Sequence, residues 1–453
     1  MKTINPFTNE EVTQYQNHSE FEVKRIIKEV DQAFKSWREI SFDERKNYLL
    51  NLENQLLENQ EELAELIVTE MGKIKKEALG EVKKCAWVCR YYAENGAQFL
   101  QNETIKTESS ESYVSFQPIG TVLAVMPWNF PFWQVFRFLA PALMAGNTGV
   151  LKHASNVPGC AMAIENLVKD AGLPANVFRS LLISGKQVKA VIENPKIKAV
   201  TLTGSTPAGK SVAQAAGSVL KKSVLELGGS DPYLVLPDAD LDAAAKLCVS
   251  ARLLNAGQSC IGAKRFIVHE DVYDGFRDRF VKLMKEATFG DPMDEKSSIG
   301  PLARMDLRDE LHGQVSASVS KGAKILCGGF IPEGKAPFYP PTVLENIKPG
   351  MPAYEEELFG PVASLIRVSS EEEGVKIAND TVFGLGAGVF TSDIEKGKQL
   401  AEKGLNAGCV FVNDFVKSDP RLPFGGVKES GYGRELSIFG IREFVNIKTV
   451  VVK

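Results

Sequence analysis

The strongest constraint on the fold of this chain is a change of pattern near Ser115. From there on, short apolar runs typical of strands alternate with helical stretches. The runs are Thr121–Met126, Thr148–Lys152, Val177–Leu182, Ala199–Thr203, Tyr233–Leu236, Arg265–Val268, Pro361–Val368 and Gly388–Phe390. Alternation at this spacing indicates βαβ units, in which helices cover a parallel sheet. The sequence therefore predicts an α/β fold with two parallel-sheet domains that meet near Leu225–Gly229.

The residues before this region have the periodicity of helices instead. Apolar residues recur every three or four positions from Phe21 to Trp37, directly after Ser19, which is a good N-cap. The same period continues from Leu49 to Ile67, and a third helix is expected from about residue 73 to 99. We therefore predict three helices ahead of the first parallel sheet.

Charge and composition exclude several classes of function. The formal net charge is −4, and no block of Lys and Arg is present, so nothing favours a nucleic-acid partner. The first residues lack the apolar core of a signal peptide, and no apolar window is long enough to span a bilayer. The seven cysteines are scattered, which favours free thiols. We expect a cytoplasmic protein without a membrane partner, a disulfide framework or a metal site.

The segment Gly204–Ser211 has two glycines that bracket four residues and precede Lys-Ser. This spacing satisfies the consensus of the phosphate-binding loop of nucleoside triphosphatases. Glycines between a strand and a helix also suit a dinucleotide pyrophosphate, because backbone amides and the helix N-terminus both attract an anion. The motif alone does not choose between a P-loop nucleotidase and a dinucleotide-binding enzyme.

Three neighbouring residues favour chemistry other than triphosphate hydrolysis. Glu226 stands between apolar residues and two glycines, where a structural carboxylate is costly. Cys260 lies in a Gly-Gln-Ser loop that suits a reactive thiol better than core packing, although a buried thiol is the alternative. Asn129 lies between prolines and aromatic residues, where its amide either satisfies backbone groups or faces a developing oxyanion.

Taken together, these motifs resemble those of the aldehyde dehydrogenase superfamily over essentially the whole chain. The matching segments occur in the family's order and at its spacing. They are Pro127–Pro131, Lys152, Gly204–Gly209, Glu226–Gly229, Gly257–Cys260, Glu357–Pro361 and Pro423–Gly426. The resemblance implies an aldehyde dehydrogenase-like fold in which Cys260 attacks the aldehyde, Asn129 holds the oxyanion and Glu226 acts as general base.

The resemblance also implies a nicotinamide cofactor. The expected cofactor-binding residues are Trp128, Lys152, Ser155, Gly204, Ser205, Gly209, Leu227, Glu357 and Phe359. Ser155 decides the expected preference, because an acid at this position repels the 2′-phosphate of NADP, whereas serine is neutral and can donate to it. We therefore expect NADP to be preferred, with NAD left open as an alternative.

The substrate is predicted mainly from Arg137, eight residues after Asn129. Arginine in so apolar a segment needs an anionic partner, which is either a structural ion pair or a substrate carboxylate. The position matches an arginine of succinate-semialdehyde dehydrogenases, whose short bacterial form the chain resembles. Trp133 is expected to line the substrate tunnel, and either Ser418 or Arg421 to contact the carboxylate. A broad-specificity or glutarate-semialdehyde dehydrogenase is the nearest alternative, and a P-loop nucleotidase is a distant one.

The resemblance finally implies a division of the chain and a homo-oligomer. Residues 1–102 and 121–226 are expected to form the cofactor-binding domain, and 227–436 the catalytic domain. Residues 103–120 and 437–453 are expected to form a small oligomerisation element of a homodimer or homotetramer. A second cysteine two positions after the nucleophile, which some relatives use as a disulfide switch, is replaced by Gly262.

Overall fold

The computed structural model describes residues 1–453 and contains fifteen α-helices. The helices are α1 (Glu20–Trp37), α2 (Phe42–Glu58), α3 (Gln60–Met71), α4 (Lys75–Phe99), α5 (Trp133–Met144), α6 (Pro158–Asp170), α7 (Val188–Glu193), α8 (Thr206–Ser218), α9 (Leu241–Leu253), α10 (Glu270–Glu286), α11 (Met305–Ser320), α12 (Pro352–Glu355), α13 (Glu371–Asn379), α14 (Ile394–Gln399) and α15 (Ser437–Arg442). None of them combines the length and the apolar character needed to cross a membrane.

Eighteen strands accompany these helices. They are β1 (Lys2–Asn5), β2 (Glu10–Gln14), β3 (Glu103–Thr104), β4 (Glu111–Pro118), β5 (Thr121–Met126), β6 (Thr148–His153), β7 (Phe178–Ser180), β8 (Ile197–Thr203), β9 (Lys222–Glu226), β10 (Pro232–Val235), β11 (Arg265–His269), β12 (Lys324–Cys327), β13 (Thr342–Glu345), β14 (Val362–Val368), β15 (Gly386–Phe390), β16 (Cys409–Val412), β17 (Gly431–Tyr432) and β18 (Val445–Val452).

Two large sheets contain most of the strands. One has six strands in the order β17-β9-β8-β5-β6-β7, and the other has seven in the order β12-β13-β14-β11-β10-β15-β16. Neighbouring strands are parallel except at β17 and β12, which join their sheets antiparallel. A separate antiparallel sheet contains β18, β4 and β3, and β1 pairs with β2. All eight predicted strands are present, and the α/β prediction is confirmed.

The helical prediction was wrong in one respect, because the second predicted helix is two helices. Helix α2 ends at Glu58 and α3 begins at Gln60. The side-chain amide of Asn59 donates to the carbonyl oxygen of Gln55 at 2.8 Å, a local bond that favours a helix end over helix continuation. The apolar period continues across this break, so periodicity alone conceals it.

Helix α5 lies at the centre of the largest hydrophobic core, and all twelve of its residues are buried. Its N-terminus is held by Glu81 of α4, whose carboxylate accepts the backbone N–H groups of Phe132 (2.8 Å) and Trp133 (3.0 Å). A negative charge at this end of the helix also interacts favourably with the positive end of the helix dipole. Glu81 forms a buried ion pair with Lys73, so the position of α5 depends on a charge that its neighbour neutralises.

We expect Glu81→Gln to destabilise the protein by about 3–5 kcal/mol, because it leaves the ammonium of Lys73 buried without a counter-charge. For a chain of this size the loss lowers the melting temperature by roughly 3–5 °C. The double variant Lys73→Met/Glu81→Gln should recover most of it, since the glutamine oxygen still accepts the two N–H groups.

Glu286→Gln is the matched control, because Glu286 pairs with Lys282 on an exposed face of α10. It should leave the melting temperature unchanged. Equal melting temperatures for the two single Gln variants in thermal unfolding would contradict the importance of the buried pair.

Candidate active site

Cys260 follows a tight turn that requires unusual backbone conformations. After α9 ends, Asn255 and Ala256 have left-handed φ values of 55° and 52°, and Gly257 has φ 74°. A Cβ on Gly257 would lie 2.2 Å from the carbonyl oxygen of Gly360, so only glycine fits. The turn reverses the chain and places Cys260 just ahead of β11, at the end of the seven-stranded sheet.

Side-chain amides fix this turn to the loop after β5. Asn255 Nδ2 donates to the carbonyl oxygen of Asn129 at 2.7 Å, and Asn129 Nδ2 donates to the carbonyl oxygen of Gln258 at 3.1 Å. The backbone N–H of Asn255 donates to the buried carboxylate of Glu77 at 3.0 Å. The structure therefore brings Asn129 to the Cys260 loop, as the sequence predicted.

Lys264 holds the other side of the loop, and sequence reasoning missed it. Its Nζ donates to the carbonyl oxygens of Ser259 (3.1 Å), Cys260 (2.9 Å) and Gly262 (3.0 Å). It also pairs with Glu357 at 3.4 Å, and Glu357 accepts the N–H of Gly229 at 3.1 Å. The available signal was a lysine directly before a buried strand, where an unpaired charge is costly.

The environment of Cys260 disfavours its thiolate in this state. Burial raises the pKa of the thiol to about 12, while the nearby charges of Arg137 and Lys264 act in the opposite direction. Loss of hydration outweighs the two cations. The thiol is therefore protonated near neutral pH and needs a base or a change of environment before it can attack a carbonyl.

A cleft of about 1190 Å³ opens at Cys260. Helix α8 points its N-terminus at this cleft, and Gly204, Ser205, Thr206 and Pro207 line it there. The hydroxyl of Ser205, the N-cap, makes no capping bond, so the amides of the first turn are available to an anion. The arrangement suits a pyrophosphate.

Most of the predicted cofactor residues border this cleft. Lining residues among them are Trp128, Gly204, Ser205, Leu227, Glu357 and Phe359. The rings of Trp128 and Phe359 meet edge to face, with centroids 5.8 Å apart. This set forms one continuous surface beside Cys260 that has an anion site, an aromatic wall and a carboxylate for sugar hydroxyls.

Three predicted cofactor residues lie elsewhere. Gly209 lies inside α8, and a Cβ there would come within 2.5 Å of Leu227, so this glycine allows close helix packing and does not line the cleft. Lys152, at the end of β6, is half-buried, and burial lowers the pKa of its ammonium. Ser155 is exposed in the turn that follows. Lys152 pairs in register with Val125 of β5, so both lie near the carboxyl ends of neighbouring strands. Trp128 follows the end of β5 on the same side of the sheet.

The lysine of the phosphate-loop pattern does not face the cleft. Lys210 is 65% exposed and pairs with Glu429 at 2.9 Å. A triphosphate-binding loop needs this lysine on the phosphates. The geometry therefore gives no support to the nucleotidase alternative.

Glu226 is not one of the residues that line the cleft at Cys260. It is buried at the end of β9 without a hydrogen-bond partner, and a Cβ on Gly425 would lie 2.7 Å from its Oε1. Burial raises the pKa of Glu226 well above its usual range, and the neighbouring Glu435 adds to the rise while Arg137 opposes it. The buried position therefore disfavours the charged form of Glu226.

Arg137 forms the structural ion pair that was one of its two predicted alternatives. Its partner is Glu435, it donates to Thr203 Oγ1 at 3.2 Å, and it stacks 4.8 Å from the ring of Phe424. The guanidinium is 2% exposed. A residue of the chain itself therefore compensates the charge that was expected to meet a substrate carboxylate.

The alternative between Ser418 and Arg421 has a clear structural outcome. Arg421 is 66% exposed and pairs with Asp419 at 2.7 Å, so it faces solvent. Ser418 is buried, and the indole Nε1 of Trp133 donates to its hydroxyl oxygen at 3.1 Å. The geometry therefore gives Arg421 no support as a substrate contact, whereas Ser418 and Trp133 lie together.

Comparison with known proteins agrees with this geometry. The model of the aldehyde dehydrogenase family matches residues 1–450. A succinate-semialdehyde dehydrogenase [NADP(+)] of Mycolicibacterium paratuberculosis is 48% identical over 99% of this chain and 96% of its own length. A protein of Paenarthrobacter nicotinovorans, named only aldehyde dehydrogenase, is 48% identical over 99% of this chain and 98% of its own.

Solved structures give the same result. The succinic semialdehyde dehydrogenase of Streptococcus pyogenes, in complex with NADP+, superimposes with a TM-score of 0.97. It is 39% identical, and the match covers 100% of this chain and 99% of that one.

The raised pKa of Cys260 predicts how its alkylation depends on pH. Only the thiolate reacts, so the rate with iodoacetamide should rise about tenfold per pH unit between pH 7 and 9. Peptide mass spectrometry measures the rate at each cysteine. The four fully buried thiols, which are the internal control, should stay unmodified in the folded protein: Cys85, Cys89, Cys160 and Cys248. A rate at Cys260 that is flat with pH would mean that the thiolate already exists in the resting enzyme.

Proposed function

The chain belongs to the aldehyde dehydrogenase family, and from that premise we propose that it oxidises succinate semialdehyde to succinate with NADP. The observation that carries the proposal is a half-buried cysteine at the end of a cleft whose remaining wall fits a dinucleotide. The names and bound cofactor of relatives at 48% and 39% identity support the substrate and the cofactor.

The residues of the cleft fit the cofactor by their chemistry. The free amides at the start of α8 would hold the pyrophosphate, and the Glu357 carboxylate would accept hydroxyls of a ribose. Lys152 and Ser155 would bind the 2′-phosphate at the carboxyl end of β6. When bound, NADP supplies the acceptor for the hydride of the aldehyde.

Cys260 and Asn129 act on the aldehyde carbonyl. The Cys260 thiol first gives its proton to a base, which is solvent water or the ionised form of Glu226. Its sulfur then bonds to the carbonyl carbon as the C=O π bond opens, and the oxygen becomes an oxyanion. Asn129 Nδ2 here donates to the carbonyl oxygen of Gln258, two residues before Cys260, and is the side-chain donor for that oxyanion. Loss of one such donor costs about 10²–10³-fold in rate. After oxidation the acyl group is a thioester on Cys260.

Glu226 acts as the base that releases the acid. Its buried position beside Glu435 disfavours the carboxylate and lies away from the cleft, so it must rotate about its side-chain bonds to reach a water beside the thioester. Burial is the main cause of its raised pKa and Glu435 adds to it, so movement into the open cleft favours ionisation, and the carboxylate then takes a proton from the attacking water. A hydrolytic base also separates this proposal from CoA-acylating relatives, which have no need of one.

Ser418, Trp133 and Arg137 are the residues we assign to the substrate side. The hydrogen bond from the Trp133 indole to the Ser418 hydroxyl forms a small buried polar group of atoms, called here the polar point. Arg137 lies one turn further along α5. The carboxylate of a semialdehyde, at the end opposite its aldehyde, is the group that such a point would bind. Broad-specificity oxidation remains the second candidate, since an equally similar relative is named only aldehyde dehydrogenase.

The proposed assembly is a homo-oligomer, dimer or tetramer, built through residues 103–120 and 437–453. These ranges contain β3, β4 and β18, which form a sheet apart from the two large ones. Strand β18 exposes Ile447, Val451 and Val452. Residues 1–102 and 121–226 are assigned to the cofactor domain, and 227–436 to the catalytic domain.

The central test compares NADPH formation from succinate semialdehyde and from butanal, which has the same carbon count and no carboxylate. We expect kcat/KM to be at least about tenfold higher for the semialdehyde, since one charge-assisted contact contributes that much. Cys260→Ser should abolish both activities. Glu226→Gln should form a single burst of NADPH without turnover, because the thioester persists. Equal kcat/KM for the two aldehydes would favour the broad-specificity candidate.

The cofactor preference is tested at Ser155. We expect the wild-type protein to have a higher kcat/KM with NADP than with NAD, and Ser155→Glu to reverse the order by repelling the 2′-phosphate. Ser155→Ala is the matched control and should weaken NADP binding only modestly. A wild-type preference for NAD would contradict the assignment.

A further inference from the structure

A lysine that the proposed mechanism does not use lies beside the polar point on the substrate side. Lys84 of α4 is half-buried, and its Nζ donates to the hydroxyl oxygen of Ser418 at 2.9 Å. The same ammonium lies 4.4 Å from the ring of Trp133. Three elements that are distant in sequence, α4, α5 and the loop after β16, therefore converge on this group.

Lys84 lacks the counter-charge that its cationic and anionic neighbours have. Arg137 pairs with Glu435, Asp419 pairs with Arg421, and Glu81 pairs with Lys73. The one hydrogen bond of the Lys84 ammonium goes to a neutral hydroxyl. Burial lowers the pKa of Lys84 to about 8, and the charge of Arg137 adds to this effect. A desolvated cation of this kind is costly until an anion binds it.

The hydroxyl of Ser418 adds a second feature of an anion site. Its oxygen accepts two hydrogen bonds, from Lys84 Nζ and from Trp133 Nε1. A hydroxyl that accepts twice still has one proton to donate, and no protein group accepts it. The cluster thus offers a free O–H and the remaining ammonium protons, with no acceptor among them.

We propose that Lys84, together with Ser418, binds the carboxylate of the semialdehyde substrate. The proposal rests on the proposed function and names the cation that holds the far end of the substrate. One oxygen of the carboxylate accepts a hydrogen bond from the ammonium of Lys84, and the other accepts one from the hydroxyl of Ser418. Arg137 lies four residues after Trp133, on the same face of α5. It is close enough to Cys260 for its charge to lower the pKa of the thiol. Its own pairing with Glu435 leaves recognition of the substrate charge to Lys84.

The test compares Lys84→Met, which keeps the length of the side chain and removes its charge, with the conservative Lys84→Arg. For succinate semialdehyde we expect Lys84→Met to lower kcat/KM about 10- to 100-fold, mostly through KM, because the contact is remote from the reacting carbon. For butanal kcat/KM should stay the same or rise. Lys84→Arg should retain most of the preference for the semialdehyde.

Lys83→Met is the matched control, since Lys83 is the exposed neighbour on the same helix. It should change neither substrate, and unchanged melting temperatures show that the variants fold. A Lys84→Met variant that loses activity equally on both aldehydes, or on neither, would overturn the inference while leaving the proposed function intact. A wild-type enzyme without preference for the semialdehyde would instead refute the proposed function.

Discussion

The contacts between Asn129 and the Cys260 loop are the interaction on which the site depends. Asn129 follows β5 of the six-stranded sheet, and Cys260 precedes β11 of the seven-stranded sheet. The hydrogen bonds of Asn129 and Asn255 cross between these two units at 2.7 and 3.1 Å. Since the proposed oxyanion donor and the proposed nucleophile lie beside strands of different sheets, their mutual geometry is only as fixed as these bonds. The left-handed turn at Asn255–Gly257 is strained backbone, and the hydrogen bonds donated by the backbone and side-chain N–H groups of Asn255 help to hold it.

Desolvation governs the charges around this junction. Burial is the first cause of the raised pKa values of Cys260 (about 12), Glu77 (about 7) and Asp231 (about 6). The two cations nearest the thiol, Arg137 and Lys264, are each paired with a carboxylate. Burial thus disfavours the charged forms of Cys260 and Glu226 in the resting site. Activation then depends on what binds in the cleft and on movement of the base, and not on a permanently charged nucleophile.

The sequence predicted the fold and the position of the chemistry well, because both depend on local patterns. Each of the eight apolar runs predicted as a strand forms one in the structure. Cys260, in the Gly-Gln-Ser-Cys loop, lies at the cleft as expected. Partners across hundreds of residues have no such local signal. Lys84 meets Ser418 and Arg137 meets Glu435 only after folding, and neither pair has a spacing to detect. The split between α2 and α3 was hidden for the opposite reason, since an unbroken apolar period continues across it.

The pairing of Arg137 with Glu435 has a further consequence for the base. Glu226, Glu435 and Arg137 form a buried group of two acids and one guanidinium. With both acids ionised the group would carry a net negative charge without solvent, so one proton remains on the pair. Glu435 has an ion pair with Arg137, whereas Glu226 has none, so the buried group disfavours the charged form more strongly at Glu226. In the proposed mechanism, rotation of Glu226 out of this buried group also favours its ionisation. Arg137 opposes the rise in the pKa of Glu226, even though Glu435 compensates its charge.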